Sequence, residues 1–98
     1  MRALDLARER RTRGAEATVW HLLGEVASRA DPLDLEGARA HYGRALALAE
    51  ELGMRPLIAH CHAGLGRLFL RTGELHAAET HAATAAALYR EMGMAHGL

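Results

Sequence analysis

The sequence predicts an all-α fold of antiparallel helical hairpins stacked as a right-handed α-α superhelix, and three observations carry that prediction. First, the chain repeats itself. Shifted by 42 positions, Ala3-Leu4-Asp5-Leu6-Ala7-Arg8-Glu9 falls on Ala45-Leu46-Ala47-Leu48-Ala49-Glu50-Glu51 and Leu23-Gly24 falls on Leu65-Gly66. Shifted by 40, Ala45 through Met54 falls on Ala85 through Met94, the two-residue difference being absorbed around Asp31-Pro32. Periods of this size mark supersecondary units that bury their apolar faces only by stacking on a neighbour. Second, half of the 98 residues are apolar but four are aromatic, with Ala and Leu dominating and β-branched residues scarce, a mixture that favours close-packed helices over sheets. Third, apolar residues recur at spacings of three and four between Gly and Pro punctuation.

Five helical segments follow in order. The first, residues 2–13, sets Leu4, Ala7 and Arg11 along one stripe and is stopped by Gly14. It starts in mid-helix and matches the second helix of the later units, so residues 1–14 read as the back half of a preceding repeat and the chain as a piece of a longer protein. The second segment, 15–29, carries Val19, Leu22, Leu23, Val26 and Ala27 on its apolar side, with Leu23 filling the interior, and ends at Ala30-Asp31-Pro32 because Pro32 lacks an amide hydrogen. Asp34 then caps the third, 35–52, whose buried side is Ala38, Tyr42, Ala45, Leu46 and Ala49 and whose C-terminal cap is Gly53. Pro56 opens the fourth, 57–71, where a missing donor does no harm. Thr72-Gly73-Glu74 turns the chain into the fifth, 75–91, capped by Gly93. The units are therefore 15–54 and 55–94, followed by a tail at 95–98, and together they make one small domain. Met54, Met92 and Met94 at the unit ends read as gap-filling core residues.

The residues within the units sharpen the assignment. Trp20-His21-Leu22-Leu23-Gly24 with Ala27, then Ala38, Tyr42 and Ala45, is followed in the next unit by His62-Ala63-Gly64-Leu65-Gly66, Phe69, Gly73, Ala78, Ala82 and Ala85. This resembles the tetratricopeptide repeat pattern over nearly the whole chain. Physically the pattern is a packing code, in which Gly24 and Gly66 let the partner helix approach and Ala38, Ala45, Ala78 and Ala85 keep the crossing tight. The chain departs from it at His62 for the Trp, Ala27 for the Tyr and Ala82 for the Phe, and both units exceed the usual 34 residues. The longer units, with phrases such as Ala49-Glu50-Glu51-Leu52-Gly53-Met54-Arg55-Pro56 and Tyr89-Arg90-Glu91-Met92-Gly93-Met94, resemble the C-terminal repeat arrays of multidomain bacterial signalling proteins, where an ATPase is joined to a nucleotide cyclase, kinase or LuxR-type output domain. None of the catalytic motifs of such proteins is in the sequence.

The resemblance implies a non-catalytic protein–protein interaction scaffold, with the first helices of successive units lining a concave groove. The groove-facing positions it implies are Thr18, His21, Glu25 and Arg29 in one unit and His60, Arg67 and Arg71 in the next; the bland meaning of the same positions is a solvated helix face. The carboxylate-clamp form of the family uses Lys and Asn, whereas His21, Glu25 and Gly64 stand here, so that ligand is not implied. End helices, around Leu4, Leu6, Leu88 and Tyr89, are expected to pair with a second copy of the chain or with the rest of a larger protein.

Composition restricts the remaining classes. The formal charge is zero, so no global field draws nucleic acid or an anionic membrane, and all 12 basic residues are Arg, as expected of a GC-rich bacterial coding sequence. The cluster Arg8, Arg10, Arg11 and Arg13 reads as a solvated helix end, with nucleic-acid binding as the third-ranked alternative. One Cys permits no internal disulfide, and no signal peptide or long apolar run is present, which together predict a cytoplasmic protein. The alternative class is a small metal- or thiol-dependent enzyme using Cys61 and the histidines. Against it, His60, Cys61 and His62 diverge by about 100° per residue on a helix and cannot converge on one ion, His76 and His81 are five apart, and no orienting Asn or Asp accompanies Cys61. No phosphate-binding glycine loop occurs. No catalytic, cofactor or metal residue is therefore assigned.

Overall fold

The computed structural model of the chain describes residues 3–93, with side-chain surroundings from Leu6 onward. Among them it contains four α-helices and no strand: α1 (Ala3–Ser28), α2 (Leu35–Leu52), α3 (Arg55–Thr72) and α4 (Leu75–Glu91). Helices α1 and α2 form one hairpin and α3 and α4 another, with α2 packed on α3 and α1 touching α3 at one edge. The tail expected at 95–98, with Met94, lies outside the described residues.

The helix ends follow their local chemistry. Asp34 accepts a hydrogen bond from the Gly37 amide at 3.0 Å and so caps α2. Gly53 and Gly73 cap α2 and α3 in the left-handed region, with φ of 70° and 81°. Helix α3 begins at Arg55, two residues earlier than the sequence suggests, with Pro56 in its first turn.

Gly14 does not stop a helix. The segments expected at 2–13 and 15–29 merge into one continuous helix, Ala3–Ser28, of 26 residues, and Gly14 keeps a negative φ, the left-handed glycines among the described residues being Gly53, Gly73 and Gly93. A glycine in mid-helix costs only about 1 kcal/mol relative to alanine, and the good helix formers on both sides supply the propagation to span it. Two of the clustered arginines consequently serve another helix. Arg10 donates to the Leu52 carbonyl at 3.3 Å and Arg13 pairs with Glu51 at 2.7 Å, so both satisfy the negative C-terminal end of α2.

The core is built from small residues. Ala17, Ala38, Ala45, Ala49 and Ala59 have no exposed surface, and Tyr42, Leu68 and Cys61 are the largest fully enclosed side chains. A Cβ on Gly24 would lie 2.9 Å from the Tyr42 ring, and one on Gly66 3.3 Å from the α4 backbone, which explains why glycine stands at both crossings. Met54 and Met92 fill gaps beside buried clusters.

The two hairpins repeat the same contacts. Trp20 stacks on His41 at 5.4 Å and His62 stacks on His81 at 5.2 Å, residues related by the 42- and 40-position shifts. The Arg13–Glu51 ion pair recurs as Arg55–Glu91. One expectation fails within this arrangement. Val19, Leu22, Leu23 and Val26 are between 40% and 68% exposed, because α1 turns its small residues Ala17, Gly24 and Ala27 toward the rest of the molecule. Leu23 is thus not an interior residue, whereas its counterpart Leu65 is buried. Tyr89, expected at an open end, is also buried, against Ala59 and Ala85.

Candidate functional site

Helices α1 and α3 run side by side along one face, and most of the residues implied by the repeat pattern lie there. Glu25 is its electrostatic centre. Its carboxylate accepts from the Tyr42 hydroxyl at 2.5 Å, from Arg67 at 3.2 Å and from Arg29 at 3.1 Å. The i, i+4 spacing brings Arg29, the residue after α1, to it, while Tyr42 reaches it from α2 and Arg67 from α3. Arg71, one turn beyond Arg67, donates to the Ser28 carbonyl at the end of α1.

Burial raises the Glu25 carboxyl, but the Tyr42 hydroxyl and the Arg67, His21 and Arg29 charges outweigh it and hold the group below its usual range. The Tyr42 hydroxyl is pushed up to about 12, by burial first and by its bond to Glu25 second. His21 lies between Tyr42 and His60, at ring-centroid distances of 5.8 and 6.3 Å. Its Nε2 is enclosed without a hydrogen-bond partner, 3.9 Å from Glu25. Burial lowers its basicity more than the Glu25 charge raises it, so the ring favours the neutral form. His60 is held by the Tyr89 hydroxyl at 2.6 Å.

Past Glu25 the face dips into a depression of about 280 Å³ between the end of α1 and the last two turns of α3. Arg29, Arg67 and Arg71 line it together with Ser28, Gly64 and Leu68. Each guanidinium carries five donors in a fixed fork, so one bond each to Glu25 or Ser28 uses only part of its capacity. The face thus presents three guanidiniums against one carboxylate, suited to binding an anionic group by paired hydrogen bonds.

Of the seven residues the pattern implied, His21, Glu25, Arg29, Arg67 and Arg71 form this connected face and His60 adjoins it. Thr18 is apart from the network, its hydroxyl turned back to the Gly14 carbonyl at 3.2 Å. Tyr42, expected only on the buried side of its helix, also shapes this site through its bond to Glu25. The available signal was Tyr42 falling where the equivalent position of the next unit has Ala82.

The histidine and cysteine chemistry takes separate directions. His60 meets Tyr89, Cys61 faces Ala17, Ala45 and Ala49 in the core, and His62 meets His81 through Nδ1 atoms 3.0 Å apart. The Cys61 thiol is pushed up to about 12, by burial first and by the distant Glu25 and Glu50 charges next, which removes the thiolate a nucleophile needs. Among the described residues, no three His, Cys, Asp or Glu side chains come together in a way that could hold a metal ion, and no helix is long and apolar enough to cross a membrane. Comparison with known proteins finds no family model, no curated protein and no solved structure that matches the chain.

Proposed function

We propose that the chain is a non-catalytic protein-interaction scaffold of the tetratricopeptide type, a superhelical repeat segment of a larger bacterial signalling or regulatory protein, and that its α1–α3 face holds an acidic stretch of another polypeptide. The observation that carries the reading is that Arg29, Arg67 and Arg71 line one depression. The repeated contacts of the two hairpins support the repeat assignment, and His60, Cys61 and His62 each take a different partner. The bonds of Arg29 and Arg67 to Glu25 and of Arg71 to the Ser28 carbonyl hold the three guanidiniums at this face.

Fluorescence anisotropy with a labelled Asp/Glu-rich peptide and its Asn/Gln counterpart tests this. The acidic peptide is expected to bind with a salt-sensitive affinity, and the Arg29→Ala/Arg71→Ala double variant to weaken it about tenfold, the equivalent of ~1.4 kcal/mol. Equal binding of the two peptides, or indifference to the double variant, rules the reading out.

A further inference from the structure

The exposed stripe on α1 and the open groove on α3–α4 are two halves of one contact that the chain already makes internally. Moved by the 42-position repeat, Val19, Leu22, Leu23 and Val26 become Cys61, Gly64, Leu65 and Leu68. Those four residues are all buried, because α3 lays them onto the α1–α2 hairpin, where they meet Ala17, Ala27, Ala38, Tyr42, Ala45 and Ala49. At the other end of the molecule, the groove between α3 and α4 is the repeat equivalent of the surface that receives them. It is apolar, open, about 520 Å³ in volume and lined by Gly66, Leu70, Leu75, Ala82, Ala86 and Tyr89.

Size and charge both match. Inside the chain a large groove residue faces a helix residue without a side chain: Tyr42 crosses Gly64, whose Cβ would lie 2.6 Å from the ring. At the two free surfaces the sizes are exchanged. The groove has Ala82 where the first hairpin has Tyr42, and α1 has Leu22 where α3 has Gly64. The volume missing on one side is present on the other, as close packing requires. The charges exchange in the same way. Arg67 reaches Glu25 within the chain, and Glu25 itself occupies the repeat position of Arg67, so a second copy brings its Glu25 opposite the Arg67 that lines the groove.

We propose that the chain assembles head to tail, with α1 of a second copy seated in the α3–α4 groove through Leu22 and Ala82. The proposal rests on the repeat-scaffold reading given above, and names for it a self-partner distinct from the acidic peptide. Such a contact is heterologous: every added copy leaves one stripe and one groove free, so the assembly grows as an open array or closes as a ring, and does not stop at a two-fold dimer.

The test is the solution mass of the full chain by light scattering and sedimentation velocity across a concentration series, with no peptide present. Mass is expected to rise with concentration past that of a dimer or to settle at a closed ring. Two variants then separate the surfaces. Leu22→Glu destroys the stripe and leaves the groove, while Ala82→Tyr fills the groove with the residue the first hairpin carries there and leaves the stripe. Both positions are exposed, and circular dichroism checks that each variant is folded. Each alone is expected to be monomeric, and their equimolar mixture to form a one-to-one dimer that grows no further. A wild-type monomer at every concentration, continued assembly of the Ala82→Tyr variant, or failure of the folded variants to pair would overturn the proposal. Peptide binding is read separately, so loss of either result leaves the other standing.

Discussion

Tyr42 of α2 packs against Gly64 of α3, so close that a single methyl group on Gly64 would sit 2.6 Å from the phenol ring. The contact joins the two hairpins and leaves Tyr42 1% exposed, with its hydroxyl bonded to Glu25. The same ring therefore sets the spacing of the hairpins and the position of the carboxylate at the candidate site.

Substituting Gly64→Ala is accordingly expected to destabilise the fold. The obstructing atoms belong to an enclosed ring tied by its hydroxyl, so the ring cannot yield without breaking that bond. Overpacking of this kind costs about 1–3 kcal/mol, and more where the neighbour is as confined as this ring, against about 1 kcal/mol gained from alanine's helix propensity. Chemical denaturation, read by Trp20 fluorescence, measures the difference. A variant as stable as the parent would mean that the hairpins do not meet here.

Gly14 carries the opposite expectation. It sits inside α1 with negative φ, and an added Cβ meets only the Met54 side chain at ordinary contact, 3.6 Å from its sulfur. Gly14→Ala should thus stabilise the chain by about 0.5–1 kcal/mol by lowering the entropy lost on folding. A left-handed glycine ending one helix before another begins would give destabilisation instead. The sign of the change in melting temperature therefore distinguishes a continuous α1 from two segments.

What could be read in advance divides along the same line. Local signals were legible: the Asp34 cap, the Gly53 and Gly73 stops, and the Ala38-Tyr42-Ala45-Ala49 face each depend on a few neighbouring residues. Gly14 was not, since the same residue either ends a helix or lies within one, depending on whether the segments beside it pack back or run on. The apolar period of Val19, Leu22, Leu23 and Val26 was visible, but periodicity names a stripe without naming its cover. Among the site residues, the repeat resemblance implied the alignment of His21, Glu25 and Arg29. The bonds from Tyr42 and Arg67 to Glu25 depend on helix register and crossing, which no single segment encodes.

The His62–His81 pair predicts a pH response. Burial lowers both basicities, and for His62 the neighbouring His81 charge lowers it further, while Phe69 stacks on the His81 ring at 5.5 Å. A base whose folded value lies below its unfolded value of 6.5 binds fewer protons when folded, so stability rises with pH through this interval. The contribution is complete above 6.5 and is lost as the pH falls below it. His21, lowered in the same direction, adds to the slope, and Glu25 extends the loss below its own unfolded value of 4.5. Thermal melts at pH 7.5, 6.5 and 5.5 should show a falling midpoint, with a shallower fall in His62→Gln. A flat profile in the parent would contradict the pairing.

Cys61 supplies a reporter of the whole interface. Its side chain has no exposed surface, and it contacts Ala17 of α1 and Ala45 and Ala49 of α2 across the junction between hairpins. Burial has raised its thiol to about 12, so both access and ionisation are withheld in the folded chain. Alkylation by a small maleimide or by a chromogenic disulfide is therefore expected to proceed only through opening of the junction. At neutral pH the rate should fall below that of a free thiol by the fraction of molecules opened. For a small domain with about 5 kcal/mol of stability that is a factor on the order of 10³ or more. Gly64→Ala, by pressing the hairpins apart, should accelerate the reaction in proportion to its loss of stability, whereas Gly14→Ala should slow it. Rapid labelling of the folded parent would show that α3 does not bury this face against the first hairpin, and would remove the basis for reading α1's exposed stripe as its counterpart.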